Sequence, residues 1–374
     1  MLLQTNMQNQ EFLSLLDNMS SNENIKGLLI LACDGNGFTP DSVDDALQNV
    51  SVPLFGGIFP AIIHGREKMI KGTIVAGLSK KPDVFTVPDL SDKNLDNYET
   101  IENFVPESED GRTMFVFVDG YSKMLSSLIE SLYNIFGLQY NYIGGGAGSI
   151  NPAALNMSNS PCIFSNNGLL EDSAILALVD IESAVGVKHG FHELSGPYKV
   201  TESSGNAIES LDWKPAFETY KDIIKKHSGK TITSENFFEI GKCFPFGITR
   251  LGSELIVRDP FTVEGESLIV ATEVPQESFV YILSGNTDSI INAARESYAT
   301  AEDAFSRRRE RTTFIVDCIS RSLFLGDDFA KEIEAVCQEN VPLIGALALG
   351  EIANSGKDYM ELFNKTCVVG IIGD

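Results

Sequence analysis

The chain has 374 residues, 43% hydrophobic and 21% charged, with 52 Asp and Glu against 28 Lys and Arg. That length suits two domains of about 150–200 residues each, and the apolar content is that of a folded chain and not a disordered one. A formal net charge of -24 favours solubility and repels phosphate backbones and anionic lipid heads, so nucleic acid and membrane are poor partners.

The six cysteines, Cys33, Cys162, Cys243, Cys318, Cys337 and Cys367, contain no C-x-x-C pair, which excludes zinc-ribbon and thioredoxin readings. Most lie in apolar runs, as free buried thiols do, and this fits a reducing, cytoplasmic setting. Met1–Ser20 lacks the basic region and apolar stretch of a signal peptide. No apolar run approaches the ~20 residues of a membrane span.

In chain order, residues 1–25 carry a short apolar pattern (Phe12, Leu13, Leu15, Leu16, Met19) that reads as a leader helix. An apolar strand, Gly27 to Cys33, runs through a loop into a helix with Thr39 or Asp41 as cap and Pro40 in its first turn. Val52-Pro53-Leu54-Phe55-Gly56-Gly57 follows, then a strand from Thr73 to Leu78. The same order recurs from Met114: a strand to Val118, a helix from Lys123 to Phe136, Tyr142-Ile143-Gly144-Gly145-Gly146, and strands at Cys162–Ser165 and Ser173–Val179. It recurs again from Thr313: a strand to Cys318, a helix from Phe329 to Gln338, Val341-Pro342-Leu343-Ile344-Gly345-Ala346, and a last strand from Thr366 to Ile372. In each copy about 24–28 residues separate the first strand from the Pro/Gly segment, the scale of one supersecondary unit. The fold class is therefore mixed α/β (α+β), with mixed sheets built from repeated strand-helix-strand-turn-strand units. The three Pro/Gly segments should occupy equivalent places.

Different material separates copies two and three. Val185 to Val200 reads as two strands around His189-Gly190-Phe191-His192, and Trp213 to Lys226 as a helix led by Pro215. Strand candidates follow at Phe244–Ile248, Glu254–Arg258, Ser267–Ala271 and Phe279–Leu283. Asn286 to Phe305 reads as a helix running into the basic segment Arg307-Arg308-Arg309-Glu310-Arg311. The domain boundary falls near Gly205 to Trp213, which divides the chain into 1–25, 26–209 and 210–374.

Motifs for chemistry are mostly absent. Gly35-Asn36-Gly37 has Pro40 where a dinucleotide loop needs its third glycine, and Gly229-Lys230-Thr231 has Ile224 where a P-loop needs its first. Neither H-E-x-x-H nor G-x-S-x-G occurs, and no catalytic acid or base is assigned. His64, His189 and His192 are each eligible as an axial haem ligand or as a structural histidine. Cys318 and Arg321 follow the third-copy strand, Glu351 lies past Gly345, and Asn364 precedes the last strand. Groups just beyond the carboxyl ends of strands are where open α/β sheets bind ligands. Arg321 suits a carboxylate and Glu351 an amine. The two would clamp an amino-acid-like ligand or pair with each other.

At these residues the chain resembles the FIST (F-box and intracellular signal transduction) family, with N- and C-terminal domains. The N-domain likeness rests on Val52–Gly57, Tyr142–Ala147, the strand pair through Asn167-Gly168 to Ala177, His189-Gly190, Val200-Thr201 and Gly205–Ile208. The C-domain likeness rests on Cys318-Ile319-Ser320-Arg321, Gly345, Gly350-Glu351-Ile352 and Asn364-Lys365-Thr366. Gly345-Ala346-Leu347-Ala348-Leu349 departs from the aromatic or glycine-rich version found in the family. The resemblance implies a cytoplasmic sensory protein and not an enzyme. It would bind a small ligand such as an amino acid at Cys318, Arg321, Gly345, Glu351, Asn364 and Gly145, with no metal or cofactor. It would signal through a separate histidine kinase, chemotaxis receptor or cyclic-di-GMP enzyme. The alternative it carries is a haem-binding nitric oxide sensor using His64, His189 or His192.

Overall fold

The computed structural model describes residues 2–6, 9–104, 106, 112–150, 160–249, 254–306, 311–354 and 359–373. One sequence of elements occurs three times. Unit I comprises β1 (Leu2–Asn6), α1 (Asn9–Ser20), β2 (Gly27–Cys33), α2 (Pro40–Asn49), β3 (Leu54–Phe59), the hairpin β4 (Ala61–His64) and β5 (Glu67–Met69), and β6 (Thr73–Leu78). Unit II repeats it with β7 (Asp83–Val87), α3 (Asn97–Glu102), β8 (Thr113–Asp119), α4 (Leu125–Phe136), β9 (Asn141–Ala147), β10 (Ile163–Ser165), β11 (Gly168–Leu170) and β12 (Ala174–Val179).

Unit III opens with β13 (Glu182–Lys188) and is then interrupted. The insert holds β14 (His192–Ser204), β15 (Ala207–Leu211), β16 (Lys214–Pro215), α5 (Ala216–Ser228), α6 (Phe237–Gly241), β17 (Phe246–Ile248), β18 (Ile256–Arg258), β19 (Pro260–Glu264), β20 (Ser267–Val270) and β21 (Phe279–Ser284). The unit resumes with α7 (Thr287–Ala304), β22 (Arg311–Cys318), α8 (Ile319–Leu325), α9 (Phe329–Val336), β23 (Leu343–Ala348), β24 (Glu351–Asn354), β25 (Met360–Phe363) and β26 (Cys367–Gly373). Of the basic segment, Arg311 starts β22, and residues 307–310 lie outside the described residues.

In each unit the two long strands are parallel, β2 with β3, β8 with β9 and β22 with β23, because a helix crosses back between them. The unit's last strand pairs antiparallel on the other side. The hairpin does not stay at home. The hairpin β4–β5 joins β23 of unit III, β10–β11 joins β3 of unit I, and β24–β25 joins β9 of unit II. The opening strands do stay, β1 on β6, β7 on β12 and β13 on β26, each beside the last strand of its own unit. The result is three six-stranded sheets of one plan, closed in a cycle by exchange. The insert forms a separate, largely antiparallel sheet around its own core of Val200, Leu211, Tyr220, Phe237, Phe246 and Ile282.

The strands read as near-continuous apolar runs because both faces are covered. Phe55, Phe115 and Phe314, one from each sheet, meet in the common core with ring centroids 5.4 and 5.6 Å apart. The leader helix α1 buries Phe12, Leu16 and Met19 at i, i+4 and i+7, and Phe12 reaches Phe38 (5.0 Å) and Phe164 (6.2 Å).

The Pro/Gly segments are equivalent in all three units, as the spacing predicts, but they are the second strand itself and not a turn after it. Gly56, Gly144 and Gly345 pair in register with Ile30, Val116 and Ile315. A Cβ on each would stand 1.8, 1.8 and 1.9 Å from that partner's carbonyl oxygen. No side chain fits there, so the recurring glycine is a packing requirement of the parallel pair.

Replacing Gly144 with Ala should therefore cost at or above the top of the usual overpacking range of about 1–3 kcal/mol. Gly205→Ala, at a left-handed glycine (φ 57°) facing open space, should cost about 1–2 kcal/mol. Urea denaturation of both variants checks the contrast; equal losses would remove the packing explanation.

Candidate functional site

At the carboxyl end of β22, Asp317 and Cys318 follow the apolar run Phe314–Val316, and α8 begins at once. One helical turn later, at i+4 from Asp317, α8 carries Arg321 inward with about 1% of its surface exposed. Sequence patterning alone leaves α8 out, yet it fixes the position of Arg321. Nε approaches Asp317 Oδ1 (3.1 Å) and donates to Glu332 Oε1 (3.0 Å), to which one Nη also donates. The remaining N–H groups donate to the carbonyls of His189 (2.7 Å), Ile290 (2.9 Å) and Lys365 (3.1 Å). A guanidinium has five N–H groups, and all are used within the protein.

The expected pairing of Arg321 with Glu351, or with a ligand carboxylate, is therefore corrected. Its ionic partners are Asp317 and Glu332, and it ties α8, α9, the end of β13 and the start of α7 to one point. Glu332 carried no sequence signal of function. It occupies i+3 of the buried face Phe329, Glu332, Ile333, Val336 on α9, where an acid among apolar neighbours was the available clue.

Beside this hub lies a second polar group. Lys365, fully buried in the left-handed region (φ 52°), donates to Ser320 Oγ (2.6 Å) and stands 3.2 Å from Asp259 Oδ1. The Ser320 hydroxyl donates in turn to Asp259 Oδ2. Asp259 belongs to the insert. Its neighbour Arg258 donates to the Leu362 carbonyl (3.1 Å) and to Glu361 Oε1 (3.0 Å) on β25. The insert thus docks onto unit III through two adjacent charged residues.

Glu351 starts β24 opposite Gly145 of β9. The matching register positions in the other two sheets are Ile163, opposite Gly57, and Ile62, opposite Ala346. An acid replaces an isoleucine that the fold itself prefers. Its Oε2 accepts from the Thr366 N–H (3.2 Å), the Cys318 thiol lies beside the carboxyl, and Oε1 has no partner among the described residues. Asn364, in the turn between β25 and β26, donates to the Phe363 carbonyl (3.0 Å), and its Oδ1 is likewise buried and unpartnered. Gly145 has the Gly350 carbonyl 2.6 Å from where a Cβ would be, and Gly345 faces Ile315; both glycines serve backbone contact.

Cys318, Arg321, Glu351 and Asn364 are thus brought into one region under the insert, with Gly145 behind Glu351 and Gly345 inside β23. Burial, and next the charge of Glu332, hold the Asp317 carboxyl well above the usual range. Burial does the same to Glu351, with Asp317 adding to it, and raises Glu332. Burial also raises the thiols of Cys318 and Cys367. Burial opposes the charge on Arg321, but Glu332 and Asp317 outweigh it. With Lys365 and Asp259 cancelling, the cluster sets three buried carboxyls against one guanidinium.

His189 follows β13; burial, with Arg321 second, pushes it down to about 3. Its Nδ1 accepts from the Phe191 N–H (2.9 Å), and Nε2 faces Glu254 Oε1 at 3.5 Å. His192 is exposed at the start of β14, and His64 ends β4 opposite Ile344. His189 and His192 do not share one continuous strand.

A family model described as the FIST N domain matches residues 27–214, and one described as the FIST C domain matches residues 216–354. The chain belongs to the FIST family. FIST domains are sensor domains of signal transduction. An uncharacterized protein of Methanocaldococcus jannaschii, MJ1623, is 22% identical over 213 residues, 49% of this chain and 40% of that protein. The chain thus spans well under half the length of this relative. The two FIST regions meet at residues 214–216 and are not separate in space. The hairpin β4–β5 of the FIST N region completes the sheet of β23, and β24 of the FIST C region pairs with β9.

Arg321→Met should cost about 3–5 kcal/mol by leaving Asp317 and Glu332 buried without their cation. Arg66→Met, which breaks an exposed pair with Glu334 (side chains 68% and 56% exposed), should cost at most about 1 kcal/mol. Equilibrium denaturation of the two variants measures both; a small loss at Arg321 would contradict the hub.

Proposed function

We propose that this FIST protein senses a small, amino-acid-like ligand bearing a protonated amine, taken up at Glu351 and Asn364 beneath the insert. One observation carries the reading: two buried acceptors, Glu351 Oε1 and Asn364 Oδ1, have no donor among the described residues, and Glu351 stands where the same fold twice uses isoleucine. Buried acceptors without donors are costly, and an ammonium group supplies three N–H donors and a compensating charge. Cys318 lines the same place.

The chemistry also gives a route from binding to output. Lys365 and Ser320 hold Asp259 of the insert. A ligand carboxylate competes with Asp259 for those two donors and so weakens one of the insert's charged anchors, while Arg258 keeps the other. A ligand that prefers the loosened arrangement shifts the population toward it. The changed insert surface is then read by a separate signalling partner of the histidine-kinase, chemotaxis-receptor or cyclic-di-GMP class. No catalytic role is assigned to any of these groups.

A thermal-shift screen with amino acids and simple amines tests this reading. At least one amine-bearing compound should raise the Tm of the native chain, by the equivalent of about 2.7 kcal/mol at a hundredfold excess over Kd, and Glu351→Gln should lose the shift. A native protein that responds to no amine, or a variant that keeps the full response, would end it.

A further inference from the structure

Asp317 and Cys367 are direct cross-strand partners at the end of the β22–β26 pair, so their side chains leave the sheet on one face. The same register position is Ala32 with Thr73 in unit I and Val118 with Ala174 in unit II. The fold therefore asks for nothing ionisable there. Helix α9 brings Glu332 to that face, and one donor atom from each of Asp317, Glu332 and Cys367 falls within 4.8 Å of the other two.

Arg321 reaches Asp317 and Glu332 through Oδ1 and Oε1. Asp317 Oδ2 and Glu332 Oε2 are both left buried and without a partner among the described residues. An outer cation that grips one oxygen of each carboxylate and leaves the other free is how ligand-orienting groups are built around metal ions. The charges agree: two carboxylates, a thiolate and one guanidinium sum to -2, which a divalent ion neutralises.

We infer that Asp317, Glu332 and Cys367 form a buried site for a divalent transition-metal ion of the zinc class, with Arg321 as its positioning residue. The thiolate selects zinc or cobalt over magnesium or calcium, which take oxygen ligands. On binding, the Cys367 thiol proton and any proton held by the two carboxyls leave to solvent, so uptake weakens as pH falls. Three protein donors leave one position of a tetrahedron open. Burial first, and then Asp317, raise the Cys367 thiol, with Glu332 and Glu351 adding to it. The ion would lock α9 to the central strands directly under Arg321. The site does not depend on the amine-sensing reading, because Glu351 and Asn364 are not among its ligands.

The test uses the full chain, stripped with chelator and reloaded with cobalt(II). The expected result is one cobalt per chain with a thiolate-to-cobalt charge-transfer band, displaced by zinc and accompanied by a rise in Tm. Cys367→Ser should abolish the band and Cys318→Ser should keep it. Asp317→Asn should weaken binding at least tenfold, and circular dichroism checks that each variant is folded. A folded native chain without the band, or a band that survives in Cys367→Ser, overturns the inference. Failure of Cys367→Ser to fold leaves the native and Asp317→Asn titrations to decide.

Discussion

Every sheet of the ring is finished by a hairpin that another unit supplies, and the rest of the structure follows from that exchange. Unpaired strand edges are costly and prone to aggregation. Here the edge of β3 is covered by β10, that of β9 by β24 and that of β23 by β4. No unit can close its own sheet in this arrangement. Inside each unit the parallel pair needs its own close backbone approach, which the in-strand glycines Gly56, Gly144 and Gly345 allow.

Threefold similarity gives an internal reference for what the fold needs. Where all three units agree, as at those glycines, the residue serves packing. Where unit III alone departs, as at Glu351 against Ile163 and Ile62, or Asp317 and Cys367 against small and apolar pairs, the fold does not explain the residue. Unit III also carries the insert and spends Arg321, Lys365 and Asp259 in a buried network. Replacing such networks by apolar residues is often neutral or stabilising, so their presence in one unit of three points to function.

The repeat was legible because each unit keeps the same spacing of apolar strand, helix and glycine-bearing strand, and buried parallel strands read as unbroken apolar runs. Cys318, Arg321, Glu351 and Asn364 could be grouped because strand ends gather on one rim. The partner of Arg321 could not be read, since Glu332 looks like any polar residue on a helix until the burial of its face is known. The hairpin destinations were hidden as well: pairing of β4 with β23 joins residues some 280 positions apart, and nothing local specifies a partner strand. The strand β1 carries Gln4, Thr5 and Asn6, too polar to be noticed, and pairs as an edge strand with β6.

The two FIST regions form one body, closed by exchanged hairpins, with its charged cluster where they meet. Expressing residues 1–214 alone tests it directly. That fragment lacks β23 for its hairpin β4–β5, β26 for β13 and β24–β25 for β9. Its urea unfolding should be broad and non-cooperative, and addition of residues 215–374 should restore a single steep transition. A fragment that unfolds cooperatively by itself, with stability near that of the whole chain, would contradict the account.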